Sequence, residues 1–149
     1  MNKDENNVPI LILILIFRDK HLGGNIMTNE MIREAMSTAV VINGVTLLNA
    51  TPHALNIVQS DGSTLTLEAS GICPRRESSE LVEQAIGLIE ITRQTLGHIE
   101  GLPDPVPGLY FIVSRLVASA TEREDLLVPG PLVRDDQGRV VGCKGLSRL

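Results

Sequence analysis

Three histidines, two cysteines and a scatter of arginines carry whatever chemistry this chain performs near neutral pH. His53 stands in Thr51-Pro52-His53, at a strand junction, where an imidazole suits a general base or a hydrogen-bond donor. The competing structural reading is a turn closed by Thr51 and fixed by Pro52, with His53 bonded to a backbone carbonyl. His98 lies near Glu100 and offers an acid–base pair that lacks a third, orienting group. His21 has no such context. Cys143 follows a glycine and precedes Lys144, which would favour a thiolate with His53 or His98 as its base. A small buried apolar side chain is the plainer reading, because nothing local resembles a nucleophile elbow. No histidine or cysteine pair has zinc spacing, the acidic clusters lack a calcium-loop pattern, and no glycine-rich phosphate loop is present. Neither a metal nor a cofactor is expected.

Anion binding is the stronger expectation. Ser114 and Arg115 follow the apolar run Leu109–Val113 and would open a helix, whose unpaired amides and partial positive charge suit a phosphate or carboxylate. Arg123, Arg134 and Arg139 would add bidentate contacts if the fold brings them to that end. The simpler alternative gives Ser114 a capping role only and pairs each arginine with an adjacent acid: Arg123 with Glu122, Glu124 or Asp125, and Arg134 and Arg139 with Asp135 or Asp136.

The elements that must position these groups are mostly short strands. Val45–Asn49, Ala54–Gln59 and Thr64–Glu68 read as strands, the last two joined by a Ser60-Asp61-Gly62-Ser63 turn. Asn43-Gly44 marks an earlier turn. Leu81–Arg93 is ambiguous: Leu81, Val82, Ala85, Ile86 and Ile89 fit a helical face, whereas Gly87–Arg93 alternates as a strand does, and strand is favoured for that second half. The prolines at 103, 105 and 107 impose an extended loop. Leu109–Val113 then reads as a central strand, followed by a helix from the Ser114 cap to near Glu124. A strand or extended segment interrupted by Pro129-Gly130-Pro131, a turn at Asp136-Gln137-Gly138 and a last strand over Arg139–Cys143 complete the chain. The expected class is α+β, a mainly antiparallel sheet of short strands with one or two short helices.

Residues 1–42 read as an N-terminal extension and 43–149 as a single domain. Met31, Ile32, Ala35 and Met36 recur at helical spacing and predict a short helix over Asn29–Thr38. Before it, Val8–Phe17 is strongly apolar but half the length of a membrane-crossing helix, and its flanks do not suit a signal peptide. Its β-branched pattern suits a strand buried on both faces or one added to a partner chain, and its need for a partner surface leads to an expected homo-oligomer. Met27 offers an internal start, which leaves open whether the first 26 residues belong to the working domain. A net charge of −5 opposes binding to phosphate backbones, and Phe17, Tyr110 and Phe111 are too few to stack single-stranded bases, so neither DNA nor RNA is an expected partner. Two isolated cysteines read as reduced thiols in a cytoplasmic protein.

Thr51-Pro52-His53-Ala54-Leu55-Asn56-Ile57-Val58, the Gly101-Leu102-Pro103 loop with Pro105, the Tyr110–Ser114 strand end and the closing Pro129-Gly130, Val133-Arg134-Asp135, Gly138-Arg139 and Gly142-Cys143 together resemble a family of short phage, prophage and bacterial proteins. The resemblance spans roughly Val45–Leu149 and departs at Ala50, where members usually have leucine, and in the N-terminal extension. It implies a phage-type context and an intracellular protein, and no particular activity. The functional expectation is a non-catalytic protein that binds a small anionic, nucleotide-derived molecule, such as a host defence signal, through Thr51, His53, Ser114, Arg115, Arg123, Arg134 and Arg139. The alternatives are a small hydrolase using His53 or His98, and a protein-interaction module with no small ligand.

Overall fold

A computed structural model describes residues 33–149, so the apolar run Val8–Phe17, His21 and the first part of the expected helix Asn29–Thr38 lie outside the described residues. After a 3-10 turn at Met36–Thr38, β1 (Val40–Ile42) and β2 (Val45–Asn49) form a hairpin, β3 (Leu55–Val58) and β4 (Thr64–Leu67) a second, and β5 (Arg75–Ile86) and β6 (Ile89–Glu100) a third. Next, β7 (Leu109–Ile112) leads through helix α1 (Arg115–Ala118) to β8 (Leu126–Pro129), and β9 (Leu132–Arg134), β10 (Val140–Lys144) and β11 (Leu146–Ser147) close the chain. The strands make a five-stranded sheet in the order β1-β2-β7-β8-β11, a four-stranded sheet in the order β4-β3-β10-β9, and the isolated pair β5-β6. The strand Val40–Ile42, which the sequence reading assigned to the extension, is an edge of the first sheet, in register with Val45–Leu47.

The sheets are mixed, which corrects the expectation of mainly antiparallel pairing. β2, β7 and β8 run parallel at the centre of the first sheet, and β3 runs parallel to β10 in the second. The physical reason was present in Leu109–Val113: an unbroken apolar run is what a strand covered on both faces and flanked by parallel neighbours carries. The passage from β7 to β8 also supplies the dozen or so residues, with a helical turn, that a parallel crossover needs.

Each face of β7 meets its own cluster. Leu109, Phe111 and Val113 point to one side with Leu48, Leu126 and Val128, where Met36, Ile72, Val106 and Val117 cover them. Ile112 points to the other, where Leu47, Leu127 and Leu146 meet Ile57, Leu67 and Cys143 of the second sheet. The five-stranded sheet is therefore the middle layer, between the second sheet and a cover of helical turns and proline-rich loop.

Two local readings also change. Leu81–Ile86, whose spacing fitted a helical face, is strand, because β-branched Val82, Ile86, Ile89, Ile91 and Thr92 favour extended backbone and Gly87 takes φ +60° in the two-residue turn. The helix after Ser114 stops at Ala118, well before Glu124; Ser119 caps it and sends its hydroxyl back to the Leu116 carbonyl.

Candidate functional site

Thr51 and His53 belong to a hydrogen-bonded corner at the end of β2. Asn49 is buried there, and its Nδ2 donates to the carbonyls of His53 (2.8 Å) and Leu67 (3.0 Å). Its Oδ1 accepts from the Thr51 amide (3.0 Å) and hydroxyl (2.6 Å). His53 contributes its main-chain carbonyl to this corner, which also accepts from the Thr51 hydroxyl, and the residue is exposed. The organising residue is therefore Asn49, which sequence reasoning passed over as the polar end of an apolar strand.

Ser114 caps a helix of four residues, its hydroxyl accepting from the Val117 amide at 3.3 Å. Arg115, the next residue, is exposed. Arg123 holds Asp125 in a two-pronged pair, with Nε to Oδ1 at 2.9 Å and Nη2 to Oδ2 at 2.6 Å, and donates Nη1 to the Pro103 carbonyl at 2.9 Å. Its guanidinium also lies 5.9 Å from the centre of the Phe111 ring. Arg134 donates to the Gly138 carbonyl, and Arg139 pairs with Asp135 at 2.9 Å, so both arginines serve the β9–β10 turn. The structure thus brings Thr51 and His53 together in one corner and Arg134 and Arg139 into one turn, and gives Arg123 partners of its own.

Arg123 does border concave surface. Two adjoining clefts, of about 350 and about 600 Å³, share Arg123, Glu124 and Arg148 in their walls. Arg148 lies 6.0 Å from the Tyr110 ring centre and supplies a second cation. Glu122 lines the smaller cleft and Asp125 the larger, so the acids there offset the arginines. Such a lining gives a phosphate-bearing ligand little net attraction. Replacing Arg123 by alanine is expected to cost about 2 kcal/mol in stability, because it strips the half-buried Asp125 and the Pro103 carbonyl of their donor. In thermal melts Arg139→Ala, which breaks a mostly exposed pair, should shift the melting temperature far less than Arg123→Ala does.

Cys143 is buried among Ile57, Leu67 and Ile112, and its thiol donates to the Gly145 carbonyl at 3.6 Å. That is the setting of an inert side chain. His98 sits at the foot of the β5–β6 hairpin, its Nδ1 3.1 Å from Glu77 Oε2, with ligand atoms of Glu77, His98 and Glu100 all within 4.8 Å of one another. The trio is exposed, and groups of exposed acidic side chains are common on protein surfaces.

Carboxylates in two turns are perturbed. The Ser63 hydroxyl and amide hold Asp61 below the usual carboxylate range, and the Arg139 amide does the same for Asp135, with help from its guanidinium. A carboxyl lowered by folding stabilises the folded state fully above its unfolded pKa and loses that contribution as pH falls through the lowered value. In a carboxyl-carbon NMR titration, Asp61 and Asp135 should titrate below an ordinary aspartate, and Ser63→Ala should return Asp61 towards the usual range while leaving Asp135 in place.

The largest exposed feature is the β5–β6 hairpin itself. Its strands are twelve residues each, and positions 77–98 are exposed throughout. Leu81, Val82, Ile86, Leu88 and Ile89 are each more than half exposed, and Leu88 at the turn is wholly so. Sequence reasoning missed this arm by splitting it between helix and strand; Gly87 midway between two runs of Ile, Val and Thr was the available signal. No helix among the described residues is long and apolar enough to cross a membrane. The chain matches none of the protein-family models, curated proteins or solved structures compared with it.

Proposed function

We propose that this protein is a non-catalytic interaction module that docks through its β5–β6 arm. The observation that carries this reading is the arm's apolar outer half: Leu81, Ile86, Leu88 and Ile89 stand in solvent on a two-stranded ribbon. Exposed clusters of large apolar residues on a soluble domain mark interaction surfaces, and an isolated two-stranded hairpin gains its rigidity from what it contacts. The binding of a nucleotide-like anion has weaker support, since Arg123, Arg134 and Arg139 are committed to intramolecular partners and acids share the clefts. Catalysis has weaker support again, because His53 offers its backbone to the Asn49 corner and Cys143 is enclosed.

A photoreactive residue at Leu88, compared with one at Asp136 in the β9–β10 turn, tests the reading in cells that make the protein. Protein adducts from the arm and none from the turn are expected. Equal yields from the two positions, or none from the arm, would exclude docking through the arm.

A further inference from the structure

Resting on that reading, we infer that the arm's partner is a second copy of this chain, the two apolar faces packing together about a two-fold axis. Cross-strand partners share a face of the ribbon. Ile86 lies opposite Ile89, and Gln84 opposite Ile91, one pair further from the turn on the same face. The bulge between Val82 and Gln84 then restores Leu81, opposite Arg93, to that side. One face of the outer arm therefore presents Leu81, Ile86, Ile89 and Ile91 as a stripe, with Leu88 at its end.

Charge on this face is neutralised internally. Arg93 donates Nε and Nη2 to Glu83 Oε1, at 2.8 and 2.6 Å. A strongly acidic or basic partner finds no complement there. An identical stripe does, and a two-fold contact is self-complementary by construction. The arm's other charges are Arg75 and Arg76 at its foot and the four glutamates Glu77, Glu80, Glu90 and Glu100, which form no basic track for a nucleic acid or an anionic lipid surface.

The area is that of a reversible dimer. The five exposed side chains offer on the order of 100 Å² each, so two copies bury about 1,000 Å² between them. That is the low end for a specific contact and predicts association that depends on concentration. Two hairpins packed together also supply the extra strands that a lone hairpin lacks.

Sedimentation velocity of the full chain over a wide concentration range is the test, repeated with Ile89→Lys/Ile91→Lys. A monomer–dimer equilibrium is expected, weakened on the order of a hundredfold by the lysines, which would have to be buried without partners. Thermal melts confirm that the variant body is folded. As a measurement independent of the variant, hydrogen exchange at Leu81–Ile91 in the unaltered chain should slow as concentration rises. A dimer indifferent to the lysines, with unchanged exchange in the arm, places self-association elsewhere and overturns the inference. A chain monomeric at every concentration overturns it too. In that case arm adducts to a different protein would leave the docking reading standing, and the absence of any arm adduct would remove both.

Discussion

Gly130→Ala should unfold this domain or lower its melting temperature by more than 10 °C, a loss of about 4 kcal/mol. A Cβ on Gly130 would stand 2.0 Å from the Lys144 carbonyl oxygen and 2.9 Å from that of Gly145, where real Cβ atoms do not approach within 3.0 Å. The obstacle is backbone, which no rotamer change relieves. Moving it means opening the crossing where the Gly130 amide donates to the Gly145 carbonyl (3.0 Å) and the Lys144 amide to that of Pro131 (2.7 Å). Overpacking of this kind costs about 1–3 kcal/mol or more, and each lost hydrogen bond adds about 1 kcal/mol. Because net stability is only about 5–15 kcal/mol, little is left. Gly62→Ala is the control: Gly62 has φ +87° and nothing within 4 Å of the added carbon, so it carries backbone strain alone, about 1–2 kcal/mol. Equal melting temperatures for the two variants would refute the steric account.

Asn49→Ala is the second large effect, expected at about 3 kcal/mol, or roughly 10 °C in melting temperature. The amide ties the end of β2 to the Thr51–His53 corner and to β4, so its removal strands the buried Leu67 carbonyl and frees the corner. Asn49→Asp separates hydrogen bonding from volume. It keeps the acceptor for Thr51 but turns an oxygen towards the carbonyls of His53 and Leu67. Burial and those dipoles raise the pKa of the new carboxyl above its unfolded value, so its stability relative to the parent should be highest below the unfolded pKa and fall as pH rises from there through the raised folded one. A pH-independent deficit in chemical denaturation would show that Asn49 acts through packing alone.

These two residues show what the sequence made legible. Turns at Asn43-Gly44, Asp61-Gly62 and Asp136–Gly138 follow from residue type, and the strands beside them appear with small changes at their ends. Strand direction had one signal, the unbroken apolar run Leu109–Val113 of a strand with parallel neighbours; for the other short strands, pairing was settled by contacts far apart in the chain. Helical spacing in Leu81–Ile89 was coincidental: with no core to face, periodicity there carries no burial information. The corner after Asn49 and the Pro129-Gly130 crossing coincide with segments that drew notice as a recurrent pattern. In both, the structure assigns hydrogen bonding and close backbone approach. The candidate arginines were legible as cations, but their nearest acids and carbonyls claimed them, as the plainer reading had it for Arg123 and Arg139.

The parallel neighbours at the heart of the middle layer set an order of assembly. Thr46 must find Leu109, roughly sixty residues downstream, before β7 can be enclosed, and such distant pairings form in milliseconds to seconds. Ile86 meets Ile89 across a two-residue turn, a closure that takes microseconds. During synthesis the ribbon's apolar side is therefore on display before the body that carries it exists, and a crowded nascent chain is most prone to sticking to its siblings in that interval.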